Sequence, residues 1–269
     1  MKKQDFTVLK IEDLHPFPDN PFRLVEDGLL MEMAESIKEF GVVTPIITRP
    51  KEDGNGYEVI AGQRRVRASQ LAGIETIPAF VLPLDRDRAI ITLVDSNIQR
   101  ENILPSERAF AYSMRLEAMK RQGQRTDLTC AQVAHKSNGR RSRDILAEEL
   151  GVSKDKVQRF IRLTFLISEI LELVDEGRIK MLPAVEVSYL SHDEQEHLLD
   201  AMKAQAATPS HAQAIKMKRY SKEGSLAPAL IRSIMEEEKP NQIERVRIPR
   251  KSIARFFGPG ATEAEIEGR

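Results

Sequence analysis

The residue pattern of this chain changes near residue 86, and that change limits the folds open to it. Before this point short β-rich runs alternate with stretches of apolar residues at helical spacing, and after it helical spacing continues almost alone. Alternating strands and helices favour a mixed sheet with helices packed against it. The sequence therefore predicts an α+β protein, with a small mixed α/β domain over residues 1–98, an all-α domain over 99–222, and a linker and C-terminal segment over 223–269.

Local patterns predict the individual elements. The predicted strands are Thr7–Leu14, Pro45–Thr48, Tyr57–Ile60 and Ile77–Leu82, with helices at Leu29–Phe40 and Arg64–Leu71. The predicted helices of the second domain are Pro105–Arg121, Ser142–Leu150, Ser153–Leu166, Ser168–Glu176, Ser191–Gln205 and Leu226–Glu238. The polar stretch Gly123–Arg141 is predicted to be a long loop or insertion.

Charge is distributed unevenly along the chain. The whole sequence holds 41 Lys and Arg against 41 Asp and Glu, but residues 99–165 hold 14 basic against 8 acidic side chains, a local excess of +6. A local positive field attracts a polyanion even when the total charge is zero. The lone Cys130, the absence of a long apolar stretch and the absence of an N-terminal apolar segment predict a cytoplasmic protein without a membrane partner.

Residues 142–166 predict a helix-turn-helix. Gly151 supplies a turn residue with positive φ, and Ser153 stands where the second helix needs its N-cap. The alternative is an ordinary helical hairpin with a solvated charged face, but the dense basic face and the local charge favour DNA binding. The candidate DNA-binding residues are Arg140, Arg141, Arg143, Ser153, Lys154, Lys156, Gln158, Arg159 and Arg162.

A second pattern is typical of phosphate binding. The apolar run from Tyr57 leads into Gly62, and a helix begins directly after it with Arg64 and Arg65. The first N–H groups of a helix and two guanidinium groups suit an anion, although a surface loop with two solvated arginines explains the pattern equally well. Farther on, Asn97 has the chemistry to ligate hydrated magnesium. Read alone, its surroundings fit a plain helix end better.

Several segments, in this order, together resemble the ParB family of DNA-partition proteins over roughly residues 6–205. No single one is decisive. They are Asn20-Pro21-Phe22-Arg23, Met33 to Ile46, Ile60-Ala61-Gly62-Gln63-Arg64-Arg65-Val66-Arg67-Ala68, Asn97-Ile98-Gln99-Arg100-Glu101-Asn102 and the helix-turn-helix.

The resemblance implies a function and a set of site residues. ParB proteins are homodimers that bind a palindromic centromere-like site in double-stranded DNA, bind CTP with Mg²⁺ in the N-terminal domain, close into a clamp and are moved by a ParA-type ATPase. The protein is then expected to associate with a nucleoid or a plasmid. The nucleotide-binding residues carried over by position are Arg23, Gly41, Val42, Thr44, Pro45, Gly62, Gln63, Arg64, Arg65, Asn97 and Arg100, with Asn97 also at the metal.

The chain departs from the family pattern at three places. Gln63 stands where the family usually has Glu, and Ser96 rather than Glu precedes Asn97. Both changes remove a carboxylate that could hold a metal or orient water, so we expect CTP to be bound but hydrolysed slowly or not at all. Ile243–Phe257 resembles the start of the family's dimerising C-terminal domain, and we therefore expect that domain to be incomplete.

Other functions stay open at this level. A helix-turn-helix transcriptional regulator or a nucleoid-occlusion protein would use the same DNA-reading helices without nucleotide gating. A small-molecule kinase on the same N-terminal fold is less favoured, because Gln63 cannot act as a general base. A sulfiredoxin-like reductase is excluded by the position of Cys130, far from the phosphate motif.

Overall fold

The computed structural model of the protein describes residues 6–100, 102–129 and 142–237. Its N-terminal part contains a five-stranded sheet in the order β1-β5-β3-β4-β2. The strands are β1 (Thr7–Lys10), β2 (Leu14–Pro16), β3 (Ile46–Pro50), β4 (Tyr57–Ala61) and β5 (Thr76–Val81). The predicted mixed sheet is confirmed, because β1 with β5 and β3 with β4 are antiparallel while β2 with β4 and β3 with β5 are parallel.

Eleven helices complete the described part of the chain. They are α1 (Gly28–Phe40), α2 (Gln63–Leu71), α3 (Arg86–Asn97), α4 (Pro105–Thr129), α5 (Ser142–Glu149), α6 (Lys154–Leu163), α7 (Ser168–Asp175), α8 (Met181–Val187), α9 (His192–Gln205), α10 (His211–Lys222) and α11 (Pro228–Glu236). From α3 onward the described residues form helices alone, as the sequence predicts. None of the described helices combines the length and the apolar character needed to cross a bilayer.

Helix α4 belongs to two hydrophobic cores. Ala111 and Ala118 pack into a cluster with β4 and α3 in the N-terminal domain. Ala109, Tyr112 and Leu116 pack into the cluster formed by the helices that follow. Small residues on one face of α4 let α3 approach closely, whereas the larger residues on the other face fill the helical core. The two parts of the chain are therefore joined through a shared helix.

The first predicted strand is wrong in its middle. Thr7–Leu14 is divided by a 3₁₀ turn at Ile11–Asp13 into β1 and β2, which lie at opposite edges of the sheet. Ile11 is buried, and its N–H donates to the carbonyl oxygen of Glu75 at 2.9 Å. The β-rich composition is compatible with both strands, but the break depends on distant pairing partners that local pattern does not reveal.

Four helix assignments also need correction. The predicted loop at Gly123–Arg141 begins too early, since α4 continues through Gly123 to Thr129. An isolated glycine costs a helix only about 1 kcal/mol, which good helix-forming neighbours offset. Helices α3, α8 and α10 were not predicted with bounds of their own. Pro183 argues against a helix at α8 when the sequence is read alone, but a proline in the first turn removes no helical hydrogen bond.

Candidate functional site

The turn between β4 and α2 has room for glycine only. Gly62 is the N-cap of α2 with φ of 102°, in the left-handed region that favours glycine. A Cβ at this position would lie 2.7 Å from Cγ2 of Ile46, a fully buried residue of β3. The turn thus lets the chain pass close to the sheet and start a helix whose first N–H groups have no acceptor within the helix. Such a helix start favours a bound anion.

Arg65 joins this turn to the segment that follows α1. Its Nη1 donates to the carbonyl oxygen of Thr44 and to that of Pro45, the latter at 2.7 Å. Gly41 ends α1 with φ of 71°, and the half-buried Val42 packs against the sheet. Burial lowers the pKa of the Arg65 guanidinium below its ordinary value, yet a guanidinium stays protonated at neutral pH. The structure therefore brings the predicted 41–45 segment to the predicted phosphate motif.

Arg64 points to a different partner. Its Nη2 lies 2.7 Å from Asp27 Oδ1, and its Nη1 donates to the carbonyl oxygen of Val25 at 3.2 Å. Asp27 is also the N-cap of α1, where it accepts from the Leu30 N–H at 2.9 Å. The hydrogen bond from Arg64 lowers the pKa of the Asp27 carboxyl. Arg64 thus connects the start of α2 to the start of α1, and the Asp27 carboxylate accepts from both Arg64 and the Leu30 N–H.

Gln63 is the first residue of α2, and its side-chain amide is unusual. The Nε2 atom is buried and has no hydrogen-bond partner among the described residues. Gln63 lines a cavity of about 480 Å³ between α2 and the chain that follows β2, which includes Asn20 and Phe22. A buried donor without an acceptor is costly, so this amide is suited to an oxygen supplied from outside the protein.

The remaining predicted nucleotide residues lie near the junction of α3 and α4. Asn97 ends α3, and its Nδ2 donates to the Leu93 carbonyl oxygen at 2.9 Å. The Arg100 N–H donates to the Asn97 carbonyl oxygen at 3.0 Å, and the Arg23 N–H donates to Glu107 Oε1 at 2.7 Å. Among the described residues no group of three His, Cys, Asp or Glu is arranged to hold a metal ion. The assignment of Asn97 as a metal ligand stays a prediction.

The helix-turn-helix is present as predicted. Helices α5 and α6 are joined by a turn in which Gly151 has φ of 63°. Ser153 caps α6, since its hydroxyl accepts from the Lys156 N–H at 3.2 Å. Leu146 and Val157 are fully buried between the helices and the core behind them. Helix α6 ends at Leu163, three residues earlier than predicted.

Most of the described candidate DNA-binding residues lie on the outer surface. Arg143, Ser153, Lys154, Lys156 and Arg159 are exposed, and Gln158 is half-buried. Lys154 Nζ lies 3.1 Å from Asp144 Oδ1, which leaves Lys156 and Arg159 as the more available cations of this face. Arg140 and Arg141 lie outside the described residues, so their assignment stays a prediction.

Arg162 lies differently from the other basic residues of α6. Its Nε donates to the Ser188 Oγ at 3.1 Å, just after α8. Its guanidinium carbon is 3.9 Å from the centre of the Tyr189 ring and 4.4 Å from that of Phe165. The side chain therefore packs against α8 and two aromatic rings. Its predicted contact with DNA stays a prediction beside this structural role.

Sequence reasoning missed two carboxylates of this region. Asp27 holds Arg64, and its signal was available, because Asp directly before an apolar helical stretch is a typical N-cap. Glu107 is buried and accepts from the N–H groups of Arg23 and Leu104. No local signal identifies that second role, since Arg23 and Glu107 are 84 residues apart.

The chain is similar to proteins of one family. The family model described as "ParB N-terminal domain" matches residues 1–98. "Stage 0 sporulation protein J" of Bacillus subtilis (strain 168) is 34% identical over 173 residues, which cover 64% of this chain and 54% of that protein. A solved structure, the C-terminally truncated ParB from Caulobacter crescentus complexed with CTP-gamma-S, is 28% identical, with 68% and 92% of the two chains covered and a TM-score of 0.34.

Coverage differs among the curated relatives. The chain spans about half the length of several of them, with 54% and 55% of the whole protein matched. A longer match is to "Probable chromosome 1-partitioning protein ParB" of Deinococcus radiodurans, 32% identical over 225 residues, or 82% of this chain and 69% of the relative. Because this match extends through both the N-terminal domain and the helical domain, the chain belongs to the ParB family.

Proposed function

We propose that this protein binds a palindromic, centromere-like DNA site through α5 and α6 and acts in DNA partition, with CTP as the ligand that gates its hold on DNA. The observation that carries the proposal is the exposed basic face of α6, a helix with Ser153 as its N-cap directly after the turn at Gly151. Relatives named as chromosome-partitioning proteins support the same role.

The DNA-binding part follows from the geometry of α6. Arg and Lys side chains near the start of a recognition helix reach phosphate oxygens and base edges in the major groove. Lys156 and Arg159 are exposed there, and the surrounding segment has a local charge excess of 6. A palindrome is read by two copies related by a two-fold axis, so we propose a homodimer on DNA. We also propose a ParA-type ATPase as the partner that moves it.

The nucleotide part rests on the start of α2. The Gly62 turn, the helix N-terminus and the Arg65 guanidinium form a place suited to a triphosphate, with the 41–45 segment beside it. The orphaned Gln63 Nε2 fits an oxygen acceptor of that ligand. Mg²⁺ is bound in proteins through few side chains plus water and substrate phosphates, and Asn97 would be its protein ligand here. When bound, the metal neutralises phosphate charge.

We propose that CTP is held without rapid turnover. Hydrolysis needs a group that orients or deprotonates water, and a carboxylate performs that role better than an amide. Gln63 offers a neutral amide at the position where the resemblance implies Glu. An amide donor still contributes to binding a negatively charged ligand, so binding and turnover are expected to separate in this protein.

Retention of radiolabelled CTP on the full chain with magnesium tests the proposal. Unlabelled ATP, GTP, UTP and CTP are the competitors, and displacement by CTP alone is expected. Arg65→Ala should abolish retention. Lys10→Ala is the control, because Lys10 lies on β1 of the same domain in an exposed ion pair with Glu12 at 3.0 Å.

A second candidate function is a site-specific regulator without nucleotide gating. One observation favours it, since both Arg64 and Arg65 donate to acceptors of the protein itself. No CTP retention, even with fragmented genomic DNA present to supply a cognate site, would make this second function the better account. Retention that is equal for all four nucleotides would refute the assignment of CTP.

A further inference from the structure

A buried arginine lies where the N-terminal domain meets the helix-turn-helix. Arg115 projects from α4, and only 7% of its side chain is exposed. Its Nη1 lies 2.7 Å from Asp95 Oδ1 on α3, and its Nη2 lies 2.9 Å from Glu149 Oε2 on α5. One guanidinium fork is therefore shared between the helix that ends at Asn97 and the first helix of the DNA-reading pair.

The burial of the three groups is unequal. Asp95 and Glu149 are 48% and 47% exposed, so either carboxylate can turn to water, whereas the cation between them cannot. The Nε of Arg115 has no hydrogen-bond partner among the described residues. Removing a carboxylate from a buried cation is costly, and the planar fork fixes where both partners must stand. The triad is thus sensitive to the spacing of α3 and α5.

Space beside the triad allows such a change. A cavity of about 420 Å³ is lined by all three residues and by Lys156 at the start of α6. A carboxylate that leaves Arg115 can be hydrated in this cavity, so loss of one ion pair does not require the core to open. Breaking one of the two ion pairs would therefore place its carboxylate in contact with water.

We propose that Arg115 is a positioning residue that couples the nucleotide site to the DNA-reading helices. This inference rests on the proposed function, because it gives a route for the gating proposed there. A shift of α3 against α5 that lengthens one pair beyond about 4 Å breaks it. The free energy needed to break the pair is subtracted from the binding free energy of the ligand that requires the shift. The affinities for CTP and DNA are therefore linked, and the linkage is equal in both directions.

The test measures a coupling factor. This factor is the ratio of the dissociation constants for labelled duplex DNA without and with saturating CTP and magnesium, obtained from fluorescence anisotropy at one salt concentration. The duplex is selected from a random-sequence library by the wild-type full chain, so that no target has to be assumed. Allosteric coupling in proteins is typically about 5- to 150-fold, and a factor of that size is expected for the wild type.

Two substitutions of Arg115 separate coupling from charge. Arg115→Met removes the charge, and Arg115→Lys keeps it but lacks the planar fork that directs one nitrogen to each carboxylate. Both should bring the factor close to one, while each ligand measured alone keeps its wild-type affinity. Lys120→Met is the matched control, because Lys120 lies on the same helix in an exposed pair with Glu117 that joins no other helix. It should keep the wild-type factor.

Each outcome decides a different point. A full coupling factor in both Arg115 variants overturns the inference and leaves the proposed function standing. A wild-type factor of one overturns the gating itself, and the role of Arg115 falls with it. If Arg115→Met unfolds at the assay temperature, Asp95→Asn and Glu149→Gln decide, since they change half-exposed side chains only. Loss of coupling in these folded variants supports the inference, and full coupling in both contradicts it.

Discussion

Replacing Gly62 by alanine should destabilise the N-terminal domain by more than its backbone angle alone explains. A non-glycine residue in the left-handed region costs roughly 1–3 kcal/mol. The added Cβ would also stand 2.7 Å from Ile46 Cγ2. Ile46 is fully buried and paired with Ala79 across β3 and β5, so it cannot move aside freely. Overpacking of this kind costs roughly 1–3 kcal/mol more.

Gly73→Ala provides the matched control for this substitution. Gly73 follows the other end of α2 with φ of 72°, and a Cβ there would meet nothing within 4 Å. Both variants lose the same glycine freedom in the unfolded chain, so that contribution cancels. Urea unfolding followed by far-ultraviolet circular dichroism should show Gly62→Ala as the less stable variant, by roughly 1–3 kcal/mol. Equal losses would refute the close approach of this turn to β3.

Four further substitutions test the two sites. Arg159→Ala should weaken DNA binding by about 1–3 kcal/mol if it reads a base, or lower the salt slope if it holds a phosphate, in anisotropy titrations over several salt concentrations. Arg162→Ala should also lower the melting temperature, because two rings and a serine lose their cation; an unchanged melting temperature contradicts that packing role. Gln63→Glu should raise phosphate release from CTP above the wild-type rate, and no increase argues against Gln63 as the missing carboxylate. The hydrogen bond from Arg64 lowers the pKa of Asp27, so the stabilisation by Asp27 is present above the ordinary carboxyl pKa and is lost as the pH falls through the lowered value. Asp27→Asn should remove this acid-dependent loss of stability in urea titrations below about pH 4. An unchanged pH profile would count against the pair.

The parts of the site that depend on neighbouring residues were predictable from the sequence. A glycine followed two residues later by serine determines the turn and the cap between α5 and α6, because both act within four residues. The turn at Gly62 follows from a β-rich run directly before a helix. In each case the chemistry of a few adjacent residues is sufficient, and distant contacts only add burial.

The partners of the charged side chains were not predictable in the same way. Arg64 and Arg65 are adjacent and have the same chemistry, yet one pairs with Asp27 and the other donates to backbone carbonyls near Pro45. Their partners lie 20 to 37 residues away, so only the packing of α1 against α2 decides between them. The sequence predicts that Arg162 points outward, but the side chain packs against Ser188 and Tyr189 just after α8. This packing was missed because α8 was not predicted.

The ion pairs of α4 indicate which part of the coupling route is most easily broken. Arg121 pairs with Asp87 early in α3, and Arg115 pairs with Asp95 late in α3, so the two helices run in opposite directions with two ties. At 1.5 Å per residue the ties are about 9 Å apart along α4 and about 12 Å apart along α3, which holds the register of the two helices. A displacement of α3 therefore carries α4 with it. Glu149 of α5 forms an ion pair with Arg115 of α4 at 2.9 Å, and this pair opens when α5 does not follow a displacement of α3 and α4. The coupling factor should thus fall further in Glu149→Gln than in Asp95→Asn, because the latter leaves the Arg121 tie in place.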